Sequence, residues 1–588
     1  MGCGYGLVVE HVLAKDETGV RFSLAAQISK VETNTQNLIN KIPKEVSHVT
    51  ETLEKAGFEA YLVGGCVRDL LMDKTPKDWD VTTNAKPEQI IPLFEKTVYE
   101  NTFGTVGVCV PRETKKVGVS QETSEYEIIE VTPYRIEAQY TDFRHPDEIS
   151  FSDKLEDDLK RRDFTINAMA YRNGHLTDMF GGLKDIEDKT LRTVGNGHER
   201  FHEDALRMLR AVRFSVQLNF SISSETIESI LKNSELLRKI SAERIRDEFI
   251  KIIMSENPSS GIVMLQKFNL LKNIIPELEE GINCEQSGEH IYDVWNHLLH
   301  ALQHAANKNW PQEVRLAALF HDIGKPKSRR RATPEDGSAS SNFSSLRTAE
   351  QLSSIGKIRE ATPNKALLKA FSSADDVYRQ AEKKSLGKAV SKKKYTFYGH
   401  EVIGARMAKK IMERLKFPNK EIVLVEKLVR NHMFFSDTEQ ITLSAVRRII
   451  TKVGKENIWL LMNIRECDRV GMKKKEAPYR LRKYFAMIEE ALHDPISVGA
   501  LKIDGEYMIK ELGIKPGPRM GWILHALLEE VLDAPEKNTV KHLSELVKSL
   551  NMLGDKELRV LGERGKEKKE ELEEEEVEKL HVKHGVRK

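Results

Sequence analysis

Two aspartates, Asp78 and Asp80, follow a short apolar run that ends in the glycine pair Gly64 and Gly65. On a strand, residues i and i+2 point to the same face, so both carboxylates are expected on one side of a sheet. Glycines after a strand let backbone amides approach a polyphosphate closely, because a Cβ would clash there. Two oxygen ligands beside such a turn suit a pair of Mg²⁺ ions that assist phosphoryl or nucleotidyl transfer.

Other residues near this motif suit the same chemistry. Arg68, one helical turn past the glycines, could meet phosphate oxygens, and Glu130 is a candidate third carboxylate on an adjacent strand. The alternative for an isolated Asp-x-Asp is a surface turn with two solvated aspartates, and Glu130 could equally be a solvated strand residue. The glycine pair, the Arg68-Asp69 pair and the strand context together favour the metal site.

A second set of candidate ligands begins with His321-Asp322, which follows an apolar helix predicted over 314–320. Adjacent His and Asp at a helix end, with further His and Asp on other helices, indicate an octahedral site for a divalent transition metal or Mg²⁺. Single histidines on amphipathic helices are more often structural, and we interpret His300 and His304 in that way.

Apolar periodicity predicts the elements that must position these residues. A helix is expected over 43–55, followed by strands over 61–63, 79–82, 106–110 and 126–132. These strands predict a small mixed sheet. After about Lys160 the pattern is almost wholly helical.

Composition limits the class of protein. The 588 residues predict three to five domains at about 150 residues each. With 92 basic and 90 acidic residues the net charge is +2, which excludes a histone-like polycation.

The cysteines are scattered and odd in number, which is typical of a reducing compartment; they are Cys3, Cys66, Cys109, Cys284 and Cys467. No stretch approaches the roughly 18 apolar residues of a membrane span, and acidic residues stand where an export signal would be basic, so we predict a cytoplasmic protein without membrane contact.

Two stretches differ in composition from the rest. Pro, Gly and Ser are dense over 328–394, which predicts a flexible insertion with patchy helix. Its basic runs at 329–331 and 392–394 are interpreted as solvated, although contact with RNA phosphates is the alternative. The charged tail from Asp555 to Lys588 predicts a solvated single helix or disorder.

Four further motifs follow the first in a fixed order: RRDFTINAM at 161–169, DMFGGLKD at 178–185, EDALR at 203–207 and ERIRDE at 243–248. Together the five motifs resemble those of the class II tRNA nucleotidyltransferase and bacterial poly(A) polymerase family, within the polymerase-β-like nucleotidyltransferases. The resemblance implies that Arg162, Asp163 and Asn167 contact the ribose of the incoming nucleotide. It also implies that the third motif is a hinge between head and neck, and that the fifth braces the neck helices.

The fourth motif can also be argued from chemistry. Asp204 and Arg207 are i and i+3, so on a helix they would share a face. Cytosine and adenine both offer an amino donor beside a ring-nitrogen acceptor, whereas uracil and guanine offer the reverse. A carboxylate with a guanidinium would therefore select C and A, and the resemblance assigns this role to the same two positions. The alternative is an ordinary helical salt bridge worth roughly a few tenths of a kcal/mol.

The His-Asp pair resembles that of HD phosphohydrolase domains. The resemblance implies six metal ligands: His297, His321, Asp322, His400, His432 and Asp468. Ni²⁺, Mn²⁺ and Mg²⁺ are the candidate ions. Bacterial members of the nucleotidyltransferase family with such a domain are associated with phosphatase and 2′,3′-cyclic phosphodiesterase side activities.

The predicted fold is therefore α+β, with a small mixed-sheet polymerase-β-like nucleotidyltransferase head followed by an all-helical neck, body and HD domain. The predicted boundaries are an N-terminal extension at 1–38, the head at 39–160, the neck at 161–280, the HD domain at 281–475 with the insertion at 328–394, a C-terminal body at 476–555 and the tail at 556–588.

The function that the resemblance implies is addition of CCA to tRNA from CTP and ATP, with Mg²⁺ in the head. The segment 132–151 resembles the flexible loop of family members that add the terminal A, which argues against a CC-only enzyme. Three alternatives stay open: an A-adding enzyme of a split system, a bacterial poly(A) polymerase, and an HD phosphohydrolase whose head is an RNA-binding platform. A monomer or a homodimer is expected.

Overall fold

The computed structural model describes residues 38–100, 104–111, 126–137, 149–286, 290–331, 395–433, 442–471, 478–492 and 498–583. The chain divides into two compact units, Met1–Glu426 and Lys427–Lys588. This division falls within the predicted HD domain at 281–475. The predicted N-terminal extension, most of the insertion and most of the 132–151 loop lie outside the described residues.

The strands of the head are β1 (Ala60–Val63), β2 (Asp80–Thr83), β3 (Thr97–Glu100), β4 (Thr105–Pro111), β5 (Tyr126–Pro133), β6 (Arg135–Glu137), β7 (Ile149–Phe151), β8 (Met169–Arg172) and β9 (His175–Asp178). Seven of them form one sheet in the order β3-β4-β5-β2-β1-β8-β9, and β6 pairs with β7. The sheet is mixed because β2 and β5 are parallel while the other neighbours are antiparallel. The predicted mixed-sheet head is confirmed.

Alternation of side chains gives the sheet one core face. In β4, Val106 and Val108 are buried while Gly107 between them faces outward, and Ile129 and Val131 of β5 are buried in the same way. The buried face packs against helix α1 (Lys44–Lys55), whose buried residues recur at helical spacing. The opposite face of the sheet is thereby left to carry the polar residues of the site.

The expectation of an almost wholly helical chain after Lys160 is wrong for 169–178. There β8 and β9 form a hairpin that extends the head sheet past the predicted head boundary at 160. The hairpin turns at Asn173-Gly174, both with positive φ, of 48° and 86°. Asn-Gly is the preferred pair for a two-residue hairpin turn, so the signal was present in the sequence.

The other helices of the first unit, with two short strand pairs, are as follows. Their bounds are α2 (Gly65–Leu71), α3 (Pro87–Ile90), α4 (Leu155–Lys160), α5 (Gly182–Glu187), α6 (Gly197–Glu203), α7 (Arg207–Leu218), α8 (Ser224–Asn233), α9 (Ala242–Ile253), α10 (Pro258–Lys267), α11 (Leu271–Ile274), α12 (Pro276–Glu279), α13 (Val294–Asn307), α14 (Gln312–Phe320), α15 (Lys325–Ser328) and α16 (His400–Arg414). Helix α17 (Asn419–Asn431) continues past Glu426. The predicted all-helical neck and HD segment also contain the short pairs β10 (Thr190–Leu191) with β11 (Ser221–Ile222), and β12 (Arg330–Arg331) with β13 (Tyr395–Thr396).

The second unit is helical in its described residues. Its helices are α18 (Leu443–Val453), α19 (Ile458–Arg469), α20 (Pro478–Leu492), α21 (Gly505–Lys510), α22 (Pro518–Asp533), α23 (Val540–Asn551) and α24 (Asp555–Lys583). The tail was expected to be a solvated single helix or disordered. It forms the single helix α24, but the first half of this helix packs closely on α22. A Cβ at Gly562 would lie 2.7 Å from Trp522 Cα, and Leu558 is buried in the shared core.

No helix within the described residues combines the length and apolar character that a membrane crossing requires.

Candidate active site and candidate metal centre

The aspartate pair lies where the sheet presents its polar face. Asp80 is the first residue of β2 and is half-buried, whereas Asp78 is exposed in the bend before the strand. Asp78 is therefore not on the strand, contrary to the expected i, i+2 strand pair. On the parallel neighbour β5, Glu130 lies in register with Asp80, so a third carboxylate is adjacent to it on the same face.

The charges around Asp80 oppose one another. Burial raises the pKa of Asp80 above its usual value, Arg162 lowers it, and the nearby Asp78 carboxylate raises it again. Two carboxylates that disfavour each other's charge would both gain from a bound divalent cation. The oxygen donors thus fit Mg²⁺, which prefers carboxylate oxygens and water as ligands.

The glycine turn brings the backbone against the same carboxylate. Gly64 has a φ of 81°, a conformation that L-residues with a Cβ rarely adopt. A Cβ there would lie 3.0 Å from Arg162 Nη1 and 3.3 Å from Asp80 Oδ2. Both glycines sit at the start of α2, where Gly64 precedes the helix and Gly65 is its first residue. The turn therefore lies so close to the Asp80 carboxylate and to Arg162 of the second motif that a side chain at Gly64 would be crowded.

Arg68 is buried, and its guanidinium is used within the protein. Arg68 donates to Asp69 Oδ1 at 2.7 and 2.9 Å and to Asn167 Oδ1 at 2.8 Å. It therefore joins the first motif to the second. A direct contact between Arg68 and a nucleotide phosphate stays a prediction.

Asp158, a residue that the motif analysis missed, fixes the second motif. It is fully buried and accepts hydrogen bonds from both Arg161 and Arg162. Burial alone would raise the pKa of Asp158, but Arg162 and Arg161 lower it below its usual value. The carboxylate thus stays ionised and holds Arg162 beside Gly64. An acidic residue one turn before an arginine pair was the signal available in the sequence.

Asp163 and Asn167 are also held from within. Arg210 donates to Asp163 Oδ2 through Nε at 2.7 Å, and Asn167 donates to Asp163 Oδ1 at 3.3 Å. Burial opposes ionisation of Asp163, yet Arg210 and Arg207 lower its pKa to about 2. In the structure Asp163 binds Arg210 and Asn167 and so holds the second motif in place. The implied ribose contact stays a prediction.

Asp204 and Arg207 do not share one helix. Asp204 ends α6 in an extended conformation, and Arg207 begins α7. Asp204 instead receives two hydrogen bonds from Arg244, at 2.7 and 3.3 Å, and Arg207 donates to Glu203 Oε2 at 2.5 Å and to the Arg161 carbonyl at 3.0 Å. The expected face of a continuous helix is wrong, because Asp204 is extended and Ala205-Leu206 form a turn between the two helices.

This bend positions the pair more firmly than a helix surface would. Arg244 comes from the fifth motif on α9, so the fifth motif braces the Asp204 carboxylate directly. Both side chains are largely enclosed, with 17% of Asp204 and 11% of Arg207 exposed. A carboxylate and a guanidinium held in fixed orientations are what selection between base edges requires.

The second candidate site lies among the helices after the neck. His297 on α13, His321 at the end of α14, and Asp322 offer ligand atoms within 4.8 Å of one another. His297 Nε2 and His321 Nε2 are 3.0 Å apart, and His400 Nε2 on α16 lies 3.2 Å from Asp322 Oδ1. We call these four residues the His/Asp cluster. All four are buried, and the structure brings them together. Their role as metal ligands stays a prediction.

Backbone carbonyls orient two of the imidazoles. Nδ1 of His321 lies 2.8 Å from the Ala318 carbonyl, and Nδ1 of His400 lies 2.7 Å from the Phe397 carbonyl. In each case the neutral ring must donate through Nδ1, which leaves the Nε2 lone pair directed to the cluster. Metal-binding histidines are held in this way, and imidazole with carboxylate suits a divalent transition metal.

Lys325 was not foreseen as part of this site. Its ammonium lies 2.6 Å from Asp322 Oδ2 and donates to Gln286 Oε1 at 2.5 Å. His290 Nε2 lies 3.5 Å from the same ammonium. Burial opposes ionisation of Asp322, but Lys325 and His321 hold its pKa well below the usual value. The cluster thus carries an ionised carboxylate even though it is enclosed.

The last two implied ligands belong to the other unit. His432 is fully buried, with Nδ1 2.6 Å from the Val429 carbonyl, and Asp468 is buried with Arg465 Nη1 3.3 Å from its Oδ2. The His432 ring is oriented by a backbone carbonyl, as the rings of His321 and His400 are. Completion of the metal shell by these two residues stays a prediction.

Three parts of the chain match families of known proteins. Residues 60–192 match "Poly A polymerase head domain", residues 219–282 match "Probable RNA and SrmB- binding site of polymerase A", and residues 401–547 match tRNA nucleotidyltransferase domain 2. The resemblance inferred from the motifs is thereby confirmed. The head and the segments after it are thus similar to domains of poly(A) polymerases and tRNA nucleotidyltransferases.

Among curated relatives, the CCA-adding enzyme of Lactobacillus delbrueckii subsp. bulgaricus is 46% identical over 221 residues, which are 37% of this chain and 52% of that protein. The CCA-adding enzyme of Ligilactobacillus salivarius is 46% identical over 266 residues, 42% of this chain and 63% of that protein. The chain thus spans about half the length of the first of these relatives. A crystal structure of the Bacillus stearothermophilus CCA-adding enzyme in complex with CTP covers 86% of this chain and 97% of its own, at 21% identity and a TM-score of 0.49.

Proposed function

We propose that this protein adds CMP, CMP and AMP in sequence to the 3′ end of tRNA, from CTP and ATP and without a nucleic-acid template. The observation that carries the proposal is the contact of the Gly64 turn with Asp80 and Arg162, in a head that matches the poly A polymerase family. The similarity to curated CCA-adding enzymes supports the choice of substrate.

The reaction joins the terminal 3′-hydroxyl oxygen of the RNA to the α-phosphorus of the nucleotide, breaks the bond to pyrophosphate, and releases the hydroxyl proton. Asp78 and Asp80 would hold Mg²⁺, which lowers the pKa of the hydroxyl and offsets the charge of the triphosphate. The Gly64-Gly65 amides and Arg68 would receive the triphosphate, and the lack of a Cβ at Gly64 leaves room for it beside Asp80 and Arg162.

Base selection would use Asp204 and Arg207. Arg244 and Glu203 hold these two side chains in place, so the acceptor and the donor face a base in fixed positions. A base with an amino group beside a ring-nitrogen acceptor, cytosine or adenine, satisfies both groups. Uracil and guanine would leave both unsatisfied, at a cost of about 1–3 kcal/mol for each mismatched pair.

The test uses three tRNA transcripts that end before CCA, after C and after CC. Each receives CTP, ATP or both with Mg²⁺, and the product ends are sequenced. Complete CCA on the shortest transcript without further extension supports the proposal. Addition of A only to the CC-ending transcript would favour the split-system enzyme, and long A tails would favour the poly(A) polymerase. We expect the protein to act in the cytoplasm, as a monomer or a homodimer.

A second candidate function is favoured by the His/Asp cluster. We infer that it binds a divalent metal, with Ni²⁺, Mn²⁺ or Mg²⁺ as candidates, and hydrolyses phosphate esters as HD domains do. Three imidazole Nε2 atoms and an ionised carboxylate converge in it, and this donor set fits such an ion. A bound metal would supply an activated water for attack on phosphorus.

Metal analysis of the purified protein, with hydrolysis of a phosphomonoester after chelation and after re-addition of each ion, tests the second function. Stoichiometric metal with restored hydrolysis supports it. Hydrolysis that resists chelation would contradict it.

A further inference from the structure

The segment between Asp322 and His400 begins and ends in an ordered strand pair. Its first strand, β12, lies antiparallel to β13, with Arg330 opposite Thr396 and Arg331 opposite Tyr395. We call residues 329–331 and 395–398 the basic strand pair. The sequence pattern had favoured a solvated loop for the three arginines. In the structure Arg330 and Arg331 form strand β12, and Arg329 directly precedes it.

The basic strand pair combines cations with aromatic rings. The Arg329 guanidinium lies 3.7 Å from the centroid of the Tyr395 ring, and Arg331 shares the face of Tyr395 because directly opposed residues of an antiparallel pair do so. Arg330 and Arg331 are exposed, and 70% of Tyr398 is accessible to solvent. Tyr398 follows β13 by two residues, so the strand that pairs with the arginines leads to an exposed ring. The arginines offer charge for phosphates, and the ring offers a surface on which a base can stack.

Both strands continue directly into the His/Asp cluster. Phe397, one residue past β13, accepts the hydrogen bond from His400 Nδ1 at 2.7 Å, and its ring lies 5.9 Å from the Lys325 ammonium. On the other side, Ser328 N donates to the Gly324 carbonyl at 3.2 Å, which joins the start of β12 to the turn after Asp322. The basic strand pair therefore lies at the edge of the cluster.

We propose that the basic strand pair binds single-stranded RNA and directs its phosphorylated 3′ end to the His/Asp cluster. The proposal rests on the phosphohydrolase function proposed above and narrows its substrate from phosphate esters in general to RNA ends. Surfaces that bind single-stranded RNA combine cations with aromatic stacking, and both are present. A mononucleotide would not need exposed arginines outside the cluster, so it explains the charges less well than RNA does. An acidic protein segment would not need an exposed tyrosine ring for base stacking.

The experiment compares two substrates in the full chain: a 12-nucleotide RNA that ends in a 3′-phosphate, and 3′-CMP. The variants are the double substitution Arg330→Glu with Arg331→Glu, and Tyr398→Ala. We expect kcat/KM for the RNA to fall about tenfold or more, mainly through KM, with a weaker dependence on salt. Hydrolysis of 3′-CMP should stay within about twofold, because neither variant alters the cluster.

The matched control is Lys410→Glu with Lys420→Glu, which changes the net charge equally at exposed positions of α16 and α17. If the control lowers RNA hydrolysis as much, the effect is one of net charge and the proposal is wrong. Equal loss for RNA and 3′-CMP in the strand-pair variants would also overturn it, and so would unchanged hydrolysis of RNA.

A second readout does not depend on hydrolysis. The same RNA with 4-thiouridine at the three positions before its last nucleotide is crosslinked by light to the wild-type protein, and the modified peptide is identified by mass spectrometry. Crosslinks at 395–398 support the proposal even if wild-type protein hydrolyses neither substrate, a result that would refute only the phosphohydrolase function. Crosslinks confined to other segments would overturn it.

Discussion

The two candidate sites differ most in their access to water. In the head, Asp78 is exposed, Asp80 is half-buried, and the donors described are carboxylates. In the His/Asp cluster all four side chains are buried, three of the donors are imidazoles, and Lys325 neutralises Asp322. One site is therefore open and rich in oxygen, and the other is enclosed and rich in nitrogen.

The difference bears on how each site would hold its metal. Oxygen donors at an open site hold Mg²⁺ weakly and share it with a substrate polyphosphate, so ions would enter with the nucleotide. Buried imidazoles with fixed tautomers hold a transition metal in the absence of substrate. The enclosed site should thus retain its metal when the protein is purified, whereas the open site should bind Mg²⁺ together with the nucleotide.

Asp80→Asn should have the largest effect and should separate the two sites. Loss of a carboxylate that would hold the Mg²⁺ opposing the charge of the triphosphate costs several kcal/mol, so nucleotide incorporation should fall on the order of 10³-fold. Hydrolysis at the His/Asp cluster should stay unchanged. Asp153→Asn, at an exposed carboxylate on the head, is the control and should retain full incorporation. If Asp80→Asn retained incorporation, Asp80 would not belong to the active site.

Asp322→Asn tests the enclosed site. The variant should lose its metal, measured by elemental analysis, while incorporation of CMP stays within about twofold. It should also lower the free energy of unfolding by about 3–5 kcal/mol, because the buried Lys325 ammonium loses its partner. Addition of Lys325→Met should restore stability without restoring metal. Equal metal content in wild type and variant would contradict the ligand role of Asp322.

Gly64→Ala sharpens the picture of the open site, with Gly57→Ala as a matched control. Both glycines have a positive φ, of 81° and 89°, so both alanines are strained by about 1–2 kcal/mol. A Cβ at Gly57 meets nothing within 4 Å, whereas a Cβ at Gly64 meets Arg162 and Asp80. We expect incorporation to fall about ten- to a hundredfold in Gly64→Ala and to stay near wild type in Gly57→Ala, at similar thermal stability. If the two variants incorporated nucleotides equally well, the Gly64 turn would not belong to the active site.

The smallest effect concerns the pH range of the head. The pKa of Asp163 is lowered to about 2 in the folded protein, so its ion pair with Arg210 stabilises the fold above pH 4 and loses that effect as the pH falls towards 2. The contribution at neutral pH is about 2 kcal/mol. Thermal unfolding of wild type and Asp163→Asn should differ at pH 7 and converge below pH 3. A difference that is constant with pH would show that the carboxylate charge contributes nothing.

Local pattern predicted the parts of the sites that are formed by neighbours in sequence. Alternating apolar residues predicted β1, β4 and β5, and the glycine pair predicted the turn before α2, because these depend on the residues themselves. The same reasoning missed the β8–β9 hairpin, where two strands of four residues give little periodicity and only Asn173-Gly174 marks the turn. It also extended one helix across Asp204 and Arg207, because spacing of i and i+3 does not reveal a break.

The sequence by itself determined which residues carry the chemistry, their order in five motifs and the family to which those motifs point. Tertiary structure decided which charges meet: Arg244 with Asp204 across 40 residues, Arg210 with Asp163 across 47, and His400 with Asp322 in the enclosed cluster. The physical reason is that an ion pair depends on distance in space, which packing of the helices and the sheet fixes. The local sequence shows which residue types can form ion pairs, but it does not show which of them come within bonding distance.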